Sequence, residues 1–340
     1  MLMPVTRRLT VLPVSLCLAL IICGAVAWGQ GFGPETYGMV GDMAMGTPAT
    51  TRTLAMGGEL TCVSDSQFTN PAFAGVETRP VAGLRYNNTD LGRGPSVTSL
   101  LASYFHPLRP GQDGLQLTVL TLTGSGEGLT LPYVGAVKTN LTSNAWVVDY
   151  GRRIAPKATV GLSILGHERV GLRFTPVLGP PVFNLEATAS YGARVGATYE
   201  WLPGDFAGLI WNTSRENVTT TGAMAAKAGE AHVDSNQVAL GASHHFTAQW
   251  LAAAEFQWSR IDTGSMVGTS NEWHAGAEYQ APGGWALRAG VSDHSPTFGA
   301  GYGKGHWRAD YTFINDWKST GVEDLFGSSD TQSLQVVYGW

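Results

Sequence analysis

Apolar and polar residues alternate with period two over long stretches of the chain, most regularly from Glu186 to Trp201. There the apolar positions are Ala187, Ala189, Tyr191, Ala193, Val195, Ala197, Tyr199 and Trp201, and the positions between them are Glu186, Thr188, Ser190, Gly192, Arg194, Gly196, Thr198 and Glu200. A β-strand places successive side chains on opposite faces, whereas a helix would scatter both sets around its circumference. The pattern therefore predicts a strand with one apolar face and one polar face.

The same alternation recurs along the chain and predicts an all-β fold. Fourteen strands are predicted, near residues 80–89, 97–106, 114–123, 144–154, 157–168, 186–201, 205–213, 235–246, 249–261, 271–281, 284–293, 297–303, 305–315 and 332–340. In a transmembrane β-barrel one strand face meets lipid and the other meets the lumen, which requires alternation over about ten residues. A soluble sandwich also alternates, but it does not place aromatic residues so often at strand ends. We therefore predict a transmembrane antiparallel β-barrel of about fourteen strands.

Short and long connections alternate between the later strands. Short turn sequences occur at 155–157, 202–205, 282–284 and 303–305, and longer connections occur at 169–185, 214–234, 262–270 and 316–331. Barrels of this class have short periplasmic turns and longer external loops, so an even strand number places both chain ends on the short-turn side. An interfacial aromatic girdle is expected beside these turns, formed by Trp201, Trp250, Trp285, Trp307 and Trp340.

The beginning of the chain has the features of a secretory signal peptide. Arg7 and Arg8 precede an apolar run, residues 9–27, that ends in small residues, so cleavage is expected near Ala27. A lipoprotein signal would use Cys23, but a small residue is needed before that cysteine and an isoleucine stands there. No later window of eighteen apolar residues follows, so the predicted membrane crossing must be made by strands. The sequence thus predicts export to the outer membrane.

Composition excludes several other classes of protein. Charged residues make up only 14% of the chain, against roughly 25% in an average soluble domain, and 44 residues are glycine. Loss of Arg7 and Arg8 with the signal changes the formal charge from −5 to −7, and no basic patch indicates a nucleic-acid partner. Cys17 and Cys23 also leave with the signal, so Cys62 remains alone and no intrachain disulfide is expected.

The C-terminus is an amphipathic strand that ends on an aromatic residue. Leu334, Val336, Tyr338 and Trp340 alternate with less apolar positions. This tail resembles the assembly signal of outer-membrane barrels. The resemblance implies that Tyr338 and Trp340 are read by the barrel assembly machinery before the chain meets outer-membrane lipid.

A segment before the first predicted strand resembles two related families. The stretch LAMGGELTCVSDS at 54–66, followed by NPAFAG at 70–75, resembles a segment of FadL-type long-chain fatty-acid transporters and, equally, of PorV-like outer-membrane proteins. Glu59 replaces a small residue of that pattern, one acidic residue of a pair is missing, and the spacer before Asn70 is shorter than in the pattern. The match covers about twenty residues and does not choose between the two families. The chain thus divides into a signal peptide at 1–27, an N-terminal hatch at 28–78, which the resemblance implies, and a barrel at 79–340.

The physical properties of that segment agree with a hatch inside or at the mouth of the barrel. Gly57 and Gly58 permit close backbone approach or positive φ, and Asn70-Pro71 favours an extended or turned corner. The alternating glycines at 299, 301 and 303 would likewise admit a close neighbour. The alternative is an ordinary periplasmic lead-in to the first strand.

Strand parity also predicts which groups face the lumen. The charged residues expected to point inward are Glu186, Arg194, Glu200, Glu255, Glu272, Glu278, Arg288, Arg308 and Asp310. Buried charges must be paired or hydrated. A network of ion pairs that braces the barrel is therefore favoured over a polar conduit.

Two apolar connections are candidate ligand-binding regions. The first contains Leu172, Phe174, Val177, Leu178, Val182 and Phe183, and the second contains Leu129, Leu131, Tyr133 and Val134. Both are expected to be external, and exposed apolar patches commonly mark binding sites. FadL-type transporters collect hydrophobic ligand with outer loops, so the resemblance implies the same use here. The alternative is that the loops pack against each other as a lid.

Two functions remain compatible with the sequence. The first is a channel for passive uptake of small hydrophobic molecules of the fatty-acid or hydrocarbon class. The second is a PorV-like partner in secretion or surface attachment. No catalytic residue, metal or cofactor is predicted; the adjacent histidines at 244 and 245 point in opposite directions on a strand and cannot jointly chelate a metal from one face.

The C-terminal assembly signal can be tested by replacing Tyr338 and Trp340 together with serine. Loss of both lipid-facing aromatic side chains should impair insertion and leave unfolded protein in the periplasm. Heat-modifiable migration on gels measures the folded fraction. Normal migration of the double variant would contradict the assignment.

Overall fold

The computed structural model describes residues 49–58, 60–65, 69–92, 95–131, 135–177, 179–222, 229–264, 267–315 and 329–340. The signal peptide and residues 28–48 of the predicted hatch lie outside these ranges. Within them, no helix combines the length and the apolar character needed to cross a membrane.

Fourteen antiparallel strands form one closed barrel. They are β1 (Val81–Asp90), β2 (Ser96–Arg109), β3 (Asp113–Leu131), β4 (Gly135–Ala155), β5 (Ala158–Pro176), β6 (Phe183–Leu202), β7 (Asp205–Thr221), β8 (Gly229–His245), β9 (Trp250–Asp262), β10 (Val267–Gln280), β11 (Trp285–Ser292), β12 (Ser295–Lys304), β13 (Trp307–Ile314) and β14 (Asp330–Gly339). Each strand pairs with its neighbours in sequence, and β1 pairs with β14 from Val81↔Gly339 to Asp90↔Asp330. The predicted fold class and strand number are confirmed.

Two short helices precede the barrel strands. Helix α1 (Thr51–Leu54) begins with a capping box in which the Thr50 side chain accepts from the Thr53 backbone amide. A 3₁₀ helix follows at Pro71–Gly75, where Asn70 caps the start and Pro71 occupies the first turn. These elements are the only helices in the described residues.

The short turns and both chain ends lie at the same end of the barrel, as the sequence predicted. Tight turns join β4 to β5, β6 to β7, β10 to β11 and β12 to β13, and both the start of β1 and the end of β14 lie at this short-turn end. The outer surface there carries exposed side chains of Trp201, Trp250, Trp285, Trp307 and Trp340. The predicted aromatic girdle is therefore present.

The strands on one arc are much longer than expected. Strands β3 to β6 have 19 to 21 residues, whereas β11 and β13 have eight. Much of the predicted loop at 169–185 is strand, because β5 continues to Pro176 and β6 begins at Phe183. The predicted loop at 214–234 is shortened in the same way by β7 and β8. The sequence prediction of long loops was wrong here.

A β-bulge explains why the parity of the first half of β6 was mispredicted. The register with β7 shifts between Ala189 and Tyr191. Beyond this shift Ala187 is fully buried, whereas Glu186 is partly exposed. Because one extra residue reverses the two faces of a strand, Glu186 points outward and not into the lumen.

A band of exposed apolar side chains surrounds the barrel between two aromatic levels. On β6 the band runs from Tyr191, 48% exposed, through Val195 to Trp201, 40% exposed. Trp146 on β4 is also exposed and lies near the level of Tyr191, and Trp211 on β7 is exposed within the band opposite Val195. Ten residues of strand span about 33 Å, which a tilt of about 40° reduces to roughly 25 Å, the height of the apolar band of a membrane barrel.

The position of this band can be tested by placing arginine inside and outside it on one strand. Val195→Arg puts a charge on the lipid-facing surface and should destabilise the inserted barrel by about 2–4 kcal/mol. Thr188→Arg, an exposed position on the same strand beyond the bulge, should have little effect. Urea unfolding in lipid vesicles measures both, and equal stability of the two variants would contradict the assignment.

Candidate functional site

The described part of the N-terminal segment lies inside the barrel. Residues 49–58, 60–65 and 69–76, called the luminal segment below, are almost entirely buried. Helix α1 contacts β12, β13 and β14, and the 3₁₀ helix contacts β2 to β6. These contacts reach two separate arcs of the wall, so the segment crosses the lumen. The extent of the hatch over 28–78 stays a prediction, because its first part is outside the described residues.

Glycines on the inner faces of six strands make room for the luminal segment. They are Gly151, Gly161, Gly196, Gly208, Gly276 and Gly290. A Cβ atom at any of them would lie closer to the segment than real Cβ atoms approach a neighbour. The expectation that alternating glycines on β12 admit a close neighbour is correct for Gly299, which packs against Ala55.

The two glycines of the motif adopt backbone conformations that other residues rarely reach. Gly57 and Gly58 have φ angles of 105° and 145°. A Cβ on Gly57 would overlap backbone atoms of Ala275 and Val291. Nδ1 of His274 donates to the Gly57 carbonyl oxygen at 2.9 Å. Both predicted properties of the pair, positive φ and close backbone approach, are therefore present.

Asn70 and Pro71 form the corner that places the 3₁₀ helix against the wall. Oδ1 of Asn70 accepts from the Ala72 amide at 3.0 Å, and Nδ2 lies 3.1 Å from the carbonyl oxygen of Ala197 and 3.3 Å from that of Leu209. The side chain thus caps the helix and holds it to β6 and β7.

Six charged side chains of alternating sign connect the luminal segment to the wall. This ion chain consists of Arg52, Glu278, Arg288, Asp310, Arg308 and Asp65. Nε and Nη2 of Arg52 donate to the two Glu278 oxygens at 2.8 and 2.7 Å. Arg288 bridges Glu278 at 2.5 Å and Asp310 at 2.8 Å. The chain carries three positive and three negative groups, so its formal charge is zero, as the predicted bracing network requires.

Asp65 closes the ion chain from within the luminal segment. Its carboxylate pairs with Arg308 and accepts from the Thr50 hydroxyl at 2.5 Å. Burial raises the pKa of Asp65, but the charges of Arg308 and Arg52 and the Thr50 hydrogen bond outweigh burial and lower it to about 2. A depressed carboxyl pKa stabilises the folded state fully above the unfolded pKa of about 4. The contribution of Asp65 is lost as the pH falls towards 2.

A second feature of the lumen lies towards the end of the barrel opposite the short turns. Here inward-facing apolar side chains of several strands pack together as the upper apolar cluster, which consists of Leu91, Val97, Leu122, Leu129, Val137, Leu141, Val170, Leu172, Phe174, Phe183, Leu185, Ala187, Val218 and Val233. The rings of Phe174 and Phe183 stack with centroids 5.6 Å apart. The cluster is formed mainly by the extended ends of β3 to β8.

Several residues that were predicted to lie in an external loop lie on strands instead. Leu172, Phe174 and Phe183 lie on the inner faces of β5 and β6, not in an external loop. Val182 is partly buried against the cluster, whereas Val177 in the remaining loop is 75% exposed.

The other predicted apolar positions divide in a similar way. Leu129 belongs to the upper apolar cluster. Leu131 ends β3, and Leu178, Tyr133 and Val134 are outside the described residues. The sequence patterns did not reveal the members of the cluster on β4, β7 and β8. Their signal is weak because each strand contributes only one or two apolar residues to the cluster.

The barrel reverses its polarity along the strands of the extended arc. On β7, Leu209 and Trp211 face outward within the apolar band, whereas Arg215 and Thr219 face outward beyond it. On the inner face, Val218 belongs to the upper apolar cluster. Apolar residues therefore face lipid at one level and face the lumen at the next. The upper part has the polarity of a water-soluble barrel with an apolar interior.

The wall beside the upper apolar cluster contains an interruption in strand pairing. The register between β5 and β6 runs to Leu165↔Gly192 and resumes at Val170↔Ala187. Each of these strands also shifts register against its other neighbour within the same stretch. Val170 and Ala187 belong to the upper apolar cluster, and Tyr191 marks the outer edge of the apolar band. The interruption thus lies between the cluster and the lipid-facing surface.

Seating of the luminal segment can be tested at one inner-face glycine. Gly290→Val should displace the backbone at Met56 and Gly57, against which a Cβ at position 290 would collide. The variant should show higher conductance for small ions in planar bilayers and faster proteolysis of the segment. Gly303→Val is the matched control, since a Cβ there meets no atom closer than 3.7 Å. Identical conductance of both folded variants would contradict the seated arrangement.

Comparison with family models and with curated proteins gives no match. Among solved structures, the chain is similar to the Pseudomonas putida toluene transporter TodX, with 13% identity, a TM-score of 0.57, and coverage of 86% of this chain and 97% of TodX. It is also similar to the Ralstonia pickettii toluene transporter TbuX, with 15% identity, a TM-score of 0.55, and coverage of 86% and 98%.

A FadL homologue from Pseudomonas aeruginosa gives 13% identity and a TM-score of 0.54, with coverage of 87% of this chain and 97% of the homologue. At this level of identity the likeness shows the fold. The chain therefore has the fold of the FadL-type barrels, over almost the whole length of these proteins.

Proposed function

We propose that the protein is an outer-membrane channel for passive uptake of small hydrophobic molecules of the fatty-acid or hydrocarbon class. The observation that carries this proposal is the upper apolar cluster, an apolar interior enclosed by strands whose outer faces are polar. The fold supports it, because the similar structures TodX and TbuX are described as toluene transporters. Their fold also supports an outer-membrane location.

Capture from water is the first step that the cluster would perform. Phe174 and Leu172 are fully buried, and the ring of Phe174 stacks on that of Phe183. These side chains would surround an apolar molecule that enters between them. Burial stabilises such a molecule by about 25 cal/mol per Å² of apolar surface removed from water. Entry requires the packed side chains to separate, so the cluster would act as a closed site that opens around its ligand.

The path below the cluster is unfavourable for an apolar molecule. The luminal segment and the ion chain fill the lumen with paired polar groups, among them Arg52 with Glu278 and Asp65 with Arg308. Separating these pairs without replacing their hydrogen bonds would be costly. We therefore infer that a captured molecule does not travel straight through the lumen in the resting state.

The interruption between β5 and β6 offers a shorter route. Val170 and Ala187 border both the upper apolar cluster and the unpaired stretch. Movement through this stretch would bring the molecule to the level of Tyr191 and the lipid-facing band. A sideways exit would carry the molecule from the upper apolar cluster to the lipid-facing band, so no driving force beyond its partition into lipid is needed.

A PorV-like role in secretion or surface attachment is the alternative. That role would use the outer surface, and no feature of the described residues favours it over use of the lumen. Uptake measurements distinguish the two, because a secretion partner does not need an apolar interior.

Uptake of radiolabelled toluene and of a radiolabelled fatty acid should be measured in a deletion strain that carries the wild-type or variant gene. Phe174→Ser combined with Phe183→Ser should lower uptake about tenfold, which corresponds to loss of about 1.4 kcal/mol of apolar contact with the ligand. Leakage of small polar solutes should not change, because the luminal segment is untouched.

Val177→Ser is the matched control, since this side chain is exposed in the loop beside the same strands. Heat-modifiable migration checks that each variant is folded. Unchanged uptake by the folded double variant would overturn the proposed ligand site, and equal uptake with and without the wild-type gene would overturn the proposed function.

A further inference from the structure

A cavity of about 230 Å³ lies at the short-turn end of the barrel. It is lined by Arg109, Gln112, Arg152, Arg153, Ile154 and Ala155. These residues come from two neighbouring hairpins, the β2–β3 turn and the β4–β5 turn. The Arg153 amide donates to the Gln112 carbonyl oxygen at 2.7 Å and joins the two turns. The cavity walls are therefore held by backbone as well as by strand pairing.

The cavity has an excess of positive charge. Nε of Arg109 lies 3.0 Å from both carboxylate oxygens of Asp113, so this arginine is fixed and its charge is offset. Within the described residues, neither Arg152 nor Arg153 forms an ion pair. Three guanidinium groups thus face one carboxylate, and the surplus of two charges suits an anion.

The surroundings of the cavity are apolar on the side that faces the membrane. Ile154, which is 62% exposed, forms part of its wall, and Leu108 on the adjoining hairpin is 51% exposed. Leu115 continues this exposed apolar surface along β3. A ligand that fills the cavity and remains in contact with this surface must have an anionic head and an apolar tail.

We propose that the cavity binds the phosphate of an anionic phospholipid from the membrane leaflet at the short-turn end. Arg152 leaves the outer face of β4 and Arg153 the inner face, and both line the cavity at the end of the strand. Each would donate hydrogen bonds to the phosphate oxygens from its own side, because the planar guanidinium group matches phosphate geometry. Arg109, which Asp113 holds in place, supplies a third positive group. The acyl chains would lie along Ile154 and Leu108. The proposal depends on the membrane-spanning barrel and is independent of any transport role.

The test compares lipid retention by two variants with the same change in charge. Arg152→Gln with Arg153→Gln removes the two unpaired arginines, whereas Arg79→Gln with Lys304→Gln removes two exposed basic residues that do not line the cavity. Purified proteins are incubated with mixed micelles of phosphatidylglycerol and phosphatidylcholine, and bound lipid is counted by native mass spectrometry. Heat-modifiable migration verifies that each protein is folded.

The wild type and the Arg79/Lys304 variant should retain phosphatidylglycerol in preference to phosphatidylcholine. The Arg152/Arg153 variant should lose this retention about tenfold or more, as expected when two arginines near a membrane surface are removed. Equal losses in both variants would show that diffuse charge attracts the lipid and would overturn the site. Equal retention of phosphatidylglycerol and phosphatidylcholine by the wild type would by itself also overturn the proposed site.

A separate measurement distinguishes lipid from free phosphate. Inorganic phosphate at millimolar concentration should not displace phosphatidylglycerol from the wild type, because the apolar contacts with Ile154 and Leu108 are lost on exchange. Complete displacement would show that the cavity is a general phosphate site and would overturn its assignment to a phospholipid.

Discussion

Closure of the strand ladder between β1 and β14 is the interaction on which the rest of the structure depends. A bilayer offers no hydrogen-bond partner to the backbone, so a membrane-spanning sheet must pair its two edge strands. The ten-residue register from Val81↔Gly339 to Asp90↔Asp330 satisfies this requirement. Once the sheet is closed, every outward side chain within the apolar band meets lipid and every inward side chain belongs to a limited interior. The sequence along each strand is then constrained on both faces.

The interior of the membrane-spanning part is filled by a polypeptide segment and not by strand side chains alone. Glycines such as Gly276 and Gly290 have no side chain, and this leaves space in the wall where the backbone of the luminal segment passes. Charged groups then connect segment and wall in an alternating chain from Arg52 to Asp65. Each buried charge of this chain has an opposite neighbour, which is the condition under which such groups are tolerated away from water.

The reversal of polarity on the extended arc separates the barrel into two environments. Below the level of Tyr191 the outer face is apolar, and beyond it the outer face is polar and the lumen is lined by the upper apolar cluster. The interruption in pairing between β5 and β6 lies where these environments meet. At the opposite end, the arginine-lined cavity adjoins the lower edge of the lipid-facing band. Both candidate sites thus occur where an apolar surface ends, which is where amphipathic or apolar ligands can be held.

The fold class, the number of strands and the side on which both ends lie could all be predicted from the residues alone, because period-two alternation and short turns are local properties. Gly57, Gly58 and Asn70 could be identified in the same way, since their backbone preferences are intrinsic to the residue type. Only the folded chain shows how distant residues combine: Arg52 meets Glu278 across 226 positions, and the upper apolar cluster draws one to three residues from each of seven strands. The bulge between Ala189 and Tyr191 likewise has no sequence signal of its own, yet it reverses a strand face, because register depends on the neighbouring strand.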